Sequence, residues 1–437
     1  MAVATQAAVC TRCGRSTAAP QLLEALPWSF QAKDKTLLAC PRCIARAEAT
    51  HYLAMRCLCA VVLIAFVSIS TINYQSFSES PGPFFVFALL LWLFEPLMIL
   101  LHESAHAMAG KLVRLRVFGI CLGSGPLLCK IWLGDFSIML HLAPTRGSCV
   151  MAPVTGRGER WRFSVATAAG PLVHIVSFAV LIALVWMTIG VSLKAFFSSA
   201  WIPALFLVNL RMALNSLVPI DRDGQILTND GRLLLQPVWS ELNIDSMLIW
   251  RYAWEIDMCL ETGRIIEARN WLQQAGTLGN GSIAMKFAEF NVLGAECKWA
   301  DVRTKSMEWH SSCDDPSQRA VLSAWSAMAT IHVGGSLDEA DALCNQSMSM
   351  IPWDPAVETV RAFVSLAQGR DAQAEDFLKQ AGTPPNWAAK TAAAHIWAEL
   401  YRRKGNIKRQ RKWESRALSL DPAGAFRVPG CVHGATV

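Results

Sequence analysis

The sequence predicts a mainly α-helical chain: a polytopic membrane region of about four transmembrane helices with a small membrane-associated β region, preceded by a small cysteine-built module and followed by an α-solenoid. Three observations carry this. Charged residues make up only 17% of the chain and mean hydropathy is +0.30, where soluble domains carry about a quarter charged residues. The apolar excess is confined to the first 240 residues, because from Glu241 onward 21 Lys/Arg stand against 23 Asp/Glu. Beyond that point, turn residues recur at a near-constant interval. The predicted parts are residues 1–50, 54–230 and 240–425, with a tail at 426–437.

No apolar run precedes Cys10, so no secretory signal is expected. "CTRC" (Cys10, Cys13) and "CPRC" (Cys40, Cys43) are two CxxC pairs with 26 residues between them. Each pair offers two sulfurs on one tight turn, and the loop between them can close a tetrahedron. That spacing predicts a four-thiolate structural zinc site, a zinc ribbon, rather than redox or disulfide pairs. Thiolates that persist imply a reducing compartment, so this end is expected to face the cytosol.

Four segments approach the roughly 20 residues that a bilayer core demands: 57–74, 84–110, 163–189 and 196–219. The stretch 74–83 has no Lys or Arg and 190–195 has only Lys194, whereas the first 56 residues carry seven and 111–162 carries eight. Positive loops mark the cytosolic side, so both termini are expected there. The segment 117–150 alternates in the manner of strands and contains glycines, which predicts the β region.

The second span ends in "HESAH". His102 and His106, at i and i+4, share one helix face and can reach one ion. Glu103, about 100° around the wheel, can reach a water on that ion. This is the H-E-x-x-H arrangement of zinc peptidases, with two ligands and a general base. A polar decoration of a helix end is the bland alternative, and burying unpaired ionisable groups in a span makes it costly. A catalytic zinc needs a third protein ligand and an open position. The fourth span ends "NSLVPIDRDGQIL" at a similar inferred depth. Asp223 is the predicted third ligand, ahead of Asp221, because Gly224 lets the backbone turn close to the ion.

These motifs together resemble the site-2 protease family of intramembrane zinc metalloproteases. The resemblance rests on "HESAH", on Asn215 with Pro219 and Asp223-Gly224, and on "AAGPLVH" (168–174) between them. It covers residues 84–230, about a third of the chain. It implies zinc on His102, His106 and Asp223, water activation by Glu103, and Asn215 near the bound peptide. It also implies an unwound transmembrane segment or peptide as substrate, paired to a strand edge within 117–150, and residence in a bacterial inner membrane. His174 stands where the family has Asn, Pro219 is single and displaced, and the family's strand glycines are represented by "APTRG" (143–147). His174 is expected to be packed or hydrogen-bonded beside the site rather than a fourth ligand.

Two further charges fall inside the spans. Glu95 lies two turns before His102, on nearly the same face, and Arg211 lies four residues before Asn215. An ion pair latching the second and fourth spans is expected of them, with snorkelling or pairing elsewhere as the alternative.

In the C-terminal part, Gly263, Cys297, Gly335, Gly369 and Gly405 mark turns at intervals of 34, 38, 34 and 36 residues. A 34-residue helix–turn–helix period resembles the tetratricopeptide repeat. Such arrays offer a concave face, so a cytosolic protein or peptide partner is expected here, with recruitment or gating as its purpose. Arg402, Arg403, Lys404, Lys408, Arg409, Arg411, Lys412 and Arg416 crowd the last hairpin. They read as a solvated capping face, with anionic headgroups as the alternative contact. Two functions thus stand open: a protease that cuts membrane-embedded segments, using one catalytic and one structural zinc, or an inactive protease-like scaffold acting through its repeats. A metal transporter is disfavoured by the single metal constellation and the lack of an inverted repeat. No nucleic-acid partner is expected.

Overall fold

The structure, a computed structural model, describes residues 8–10, 16–17, 24–25, 38–39, 43, 82–155, 159–189, 201–217, 230, 244–276, 282–384 and 386–429. It divides into two compact units, Arg46–Leu248, and Met1–Ala45 together with Ile249–Val437.

The first unit is built on helices α1 (Gly82–Leu112), α2 (Glu159–Ile189) and α3 (Trp201–Leu217), all in mutual contact. The expected spans 84–110 and 163–189 fall inside α1 and α2, and α3 occupies most of 196–219. The expected span 57–74 lies outside the described residues. Among the described residues, one helical segment, Arg160–Leu184, is long and apolar enough to cross a membrane. Between α1 and α2 run two long strands, β1 (Arg116–Leu133) and β2 (Phe136–Ala152), where the sequence places its β region. The first part of β1 is bonded along both sides. It runs antiparallel to the end of β2, with Gly119 opposite Val150 and Leu122 opposite Gly147, and in parallel register with the start of β2, with Gly119 opposite Ser137 and Leu122 opposite Leu140. The end of β1 returns antiparallel to that same stretch, with Leu133 opposite Phe136. The part of β2 around Gly147 therefore flanks the outside of this small sheet, next to α1, which packs on both strands.

The helices of this unit are apolar outside and bury polar groups among apolar ones. On α1, Leu89, Leu93, Leu97 and Leu101 recur every four residues and are exposed, whereas Glu95, His102, Glu103 and His106 are buried. On α2, Leu172, Ile175, Val176 and Val180 are exposed, whereas Thr167 and His174 are buried. That inverts the pattern of a helix on a water-soluble core.

The second unit contains two two-residue ladders. Ala8–Val9 pairs with Ser16–Thr17, a hairpin that brackets the first CxxC, and Glu24–Ala25 pairs with Leu38–Ala39. Cys10 is fully buried in the hydrophobic core of this unit and Cys43 packs against it. Cys13 and Cys40 lie outside the described residues. The cysteine-built module and the helical array therefore share one core.

The array comprises α4 (Ile244–Glu261), α5 (Ile265–Ala275), α6 (Ile283–Ala295), α7 (Trp299–Ser312), α8 (Pro316–His332), α9 (Leu337–Met350), α10 (Pro355–Ala367), α11 (Asp371–Ala381), α12 (Trp387–Arg403) and α13 (Ile407–Leu420). Local signals set the starts. Asp315, Ser336, Asp354, Asn386 and Asn406 cap their helices through the side chain, and Pro316 and Pro355 occupy first turns where their missing N–H costs nothing. The turns within hairpins share one conformation. Gly263, Cys297, Gly334, Gly369 and Gly405 all have φ between 58° and 75°. The third is Gly334 rather than the expected Gly335, and Cys297 adopts the left-handed turn without being glycine. The array also extends past 426. Phe426 and Val428, assigned from sequence to a tail, are buried, and Phe426 packs edge-on against Trp299 and Trp387. In the basic hairpin, Arg402 and Arg403 bond Glu399, and Lys404 bonds Glu375.

Candidate metal centre

The i,i+4 spacing on α1 brings the Nε2 atoms of His102 and His106 to 3.0 Å. A carboxylate closes the group: Asp230 Oδ2 lies 2.9 Å from His102 Nε2 and 3.4 Å from His106 Nε2. An ion held tetrahedrally at about 2.0–2.1 Å spaces its ligand atoms about 3.3 Å apart, so three such atoms fit one face of its coordination shell. The chemistry of the donors agrees. His106 Nδ1 lies 2.7 Å from the carbonyl oxygen of Ala166, an acceptor only, so Nδ1 carries the proton and Nε2 keeps its lone pair for the group.

Glycines let neighbouring elements close on this group. A Cβ on Gly170 of α2 would overlap the His106 ring and come within 2.6 Å of His102 Cε1. A Cβ on Gly147 of β2 would come within 2.5 Å of Glu103 Oε1. The "AAGP" and "APTRG" glycines thus seat one helix against the histidines and one strand against the glutamate. Glu103 is itself buried at 5% exposure, so its carboxyl sits between α1 and β2, away from bulk solvent.

The remaining expected residues are distributed around this centre. His174 is fully buried, stacks on His102 with ring centroids 5.1 Å apart, and has Nδ1 3.2 Å from Asn209 Oδ1. The Arg211 guanidinium donates to the Glu95 carboxylate, which joins α3 to α1. Asn215 is exposed in the last turn of α3. Asp221 and Asp223 lie outside the described residues.

The carboxylate that meets the histidines, Asp230, was not anticipated from sequence. A signal for it exists: "NDG" (229–231) is a second Asp-Gly pair seven residues after the first. Asn209 was also missed, because a lone Asn in an apolar helix has no local signature. No family model matches the chain, and neither a curated protein nor a solved structure does.

Proposed function

We propose that the chain is an intramembrane zinc metalloprotease of the site-2 protease type, which hydrolyses peptide bonds within or near transmembrane segments. One observation carries this reading: His102, His106 and Asp230 converge within 2.9–3.4 Å beside Glu103, buried on helices whose outward faces are apolar. Groups this polar are placed inside an apolar bundle at a cost that function repays. In this reading Asp230 takes the role that the sequence suggested for Asp223.

A zinc ion bound there would polarise the scissile carbonyl and bring the pKa of its water towards about 7. The protein's own residues do the rest. Glu103 takes the water proton and passes it to the leaving amine. Ala166 fixes the His106 tautomer. The flank of β2 at Gly147, beside Glu103, offers backbone groups to an extended peptide, which supports a substrate helix being unwound before it is cut. The Glu95–Arg211 pair ties α1 to α3. The polytopic arrangement, with both termini in the cytosol and residence in a bacterial inner membrane, belongs to this reading. So do a structural zinc on Cys10, Cys13, Cys40 and Cys43, and a tetratricopeptide-like array that recruits substrate or regulator.

The test is co-expression with candidate single-span proteins, comparing the native chain with Glu103→Gln. Gln cannot accept the proton, so cleavage should fall by about 10²–10⁴-fold while the fold and bound zinc persist. Undiminished cleavage in Glu103→Gln would sink the protease assignment. A chain that binds its partners but cuts none would favour the scaffold.

A further inference from the structure

His174 has a feature that packing does not explain. Its Nε2 is buried and has no hydrogen-bond partner among the described residues. Its other nitrogen is fully determined. The Asn209 amide Nδ2 donates to the Leu205 carbonyl at 2.9 Å, which orients the side chain with Oδ1 towards His174. Oδ1 can only accept, so His174 Nδ1 carries the proton and Nε2 holds a bare lone pair. A buried acceptor left empty costs about 1–3 kcal/mol. Leu205, Asn209 and His174 thus form a relay that leaves one acceptor without a partner among the described residues.

The position of that acceptor follows from the helix. His174 stands four residues after Gly170, on the same face of α2. Gly170 abuts both candidate ligand rings, and the His174 ring stacks on His102. His174 is nevertheless outside the group formed by His102, His106 and Asp230, whose ligand atoms all lie within 4.8 Å of one another. It is therefore close to the centre without belonging to its protein ligands.

We infer that His174 is a positioning residue for the metal's open position: Nε2 accepts a hydrogen bond from a proton-bearing group held there, a water or the N–H of a substrate-like ligand, and Asn209 fixes the tautomer that makes this acceptor. The inference rests on the metal-centre reading above.

The test uses the full chain in detergent, carrying Cys10→Ser and Cys13→Ser so that the cysteine site does not contribute, and loaded with Co2+. Visible absorption follows metal binding and then binding of two probes, acetohydroxamate and its N-methyl derivative, which lacks the N–H. The native site should prefer acetohydroxamate by about tenfold, roughly one hydrogen bond. His174→Phe keeps a flat ring and Asn209→Leu frees the tautomer. Both should bind Co2+ within a few-fold of the native chain and lose the preference, and His174→Gln, which retains an acceptor, should recover part of it. Equal preference in His174→Phe and the native chain would overturn the inference in favour of simple packing. A hundredfold loss of Co2+ affinity in His174→Phe would overturn it in favour of direct ligation. Failure of the native chain to bind Co2+ would instead remove the metal centre on which it rests.

Discussion

The two units of this protein differ in which polar groups they gather inside. In the helical array, one buried carboxylate ties down the segment that follows α13, while Ser323 Oγ, Thr330 Oγ1 and His332 Nε2 are buried with no hydrogen-bond partner among the described residues. Asp421 accepts hydrogen bonds from His395 and from the N–H groups of Ala425 and Phe426, so the chain after α13 is folded back onto the array. In the unit Arg46–Leu248, His102 Nδ1 and His174 Nε2 likewise have no hydrogen-bond partner among the described residues, but here two imidazoles and a carboxylate converge on one point. The apolar surface differs likewise: leucines line the outside of α1, while the array keeps alanine, tryptophan and phenylalanine within. What sets the first unit apart is the convergence of its buried imidazoles with a carboxylate, a donor set of the kind that fits a metal, beneath an apolar outer face.

Substitutions can break this contrast. The largest effect is expected at Gly170. Gly170→Val puts branched carbons where the two imidazoles lie, so in the proposed reading the unit Arg46–Leu248 should lose its metal, and cleavage with it. Metal analysis on the Cys10→Ser, Cys13→Ser background would read this directly, and normal metal content in Gly170→Val would contradict the packing described here. Gly147→Ala should separate the two functions of the centre. It displaces the Glu103 carboxyl but no ligand, so metal is retained and cleavage falls by about 10–100-fold, in keeping with a misplaced catalytic group.

In the helical array, Asp421→Asn should cost about 2–3 kcal/mol near neutral pH, because charge-assisted bonds are lost inside the core. Burial pushes the Asp421 carboxyl up, but His395 and the two N–H groups outweigh it and hold it below its usual value. The ionised form thus favours the folded state. Its contribution is complete above the unfolded carboxyl's pKa, near 4, and is lost as pH falls through the depressed folded value. Hydrogen exchange in α12, compared between Asp421→Asn and the native chain, should therefore show a gap that narrows on strong acidification. A gap independent of pH would deny the carboxylate this role.

A smaller effect is expected from the latch between α1 and α3. Glu95 is buried but the Arg211 side chain is half exposed, so a coupling of only about 1 kcal/mol is expected. Either Glu95→Gln or Arg211→Gln alone should lower thermal stability in detergent more than the pair together, since a single change leaves one charge uncompensated. Strict additivity would mean that the two residues act separately.

The legibility of the sequence divided along the same line as the two units. Where one residue decides local backbone, pattern was informative: the left-handed turns at Gly263, Gly369 and Gly405 follow from glycine spacing, and His102 with His106 follows from helix geometry. The non-glycine turn at Cys297 and the one-residue shift to Gly334 required the fold, because neighbouring helices can impose a turn that the residue itself disfavours. Phe426 looked like tail because a short segment after a helix carries no period, yet three aromatic surfaces were waiting for it. Asp230 was hidden by distance. Two Asp-Gly pairs seven residues apart carry equal local signal, and nothing local in "NDG" shows that Asp230 meets the histidines of α1. Glu95 and Arg211 were legible as neighbours because both are ionisable groups on apolar helices, where each has few alternatives.

The central claim is that His102, His106 and Asp230 together hold one metal ion. It is tested most directly by zinc content per chain in the Cys10→Ser, Cys13→Ser background, comparing Asp230→Ala with Asp223→Ala. The account predicts one zinc per chain in the background protein and in Asp223→Ala, and a loss of affinity of at least about 10³-fold in Asp230→Ala, the scale of several kcal/mol expected when one of three protein ligands is removed. Zinc retained in Asp230→Ala and lost in Asp223→Ala would contradict it.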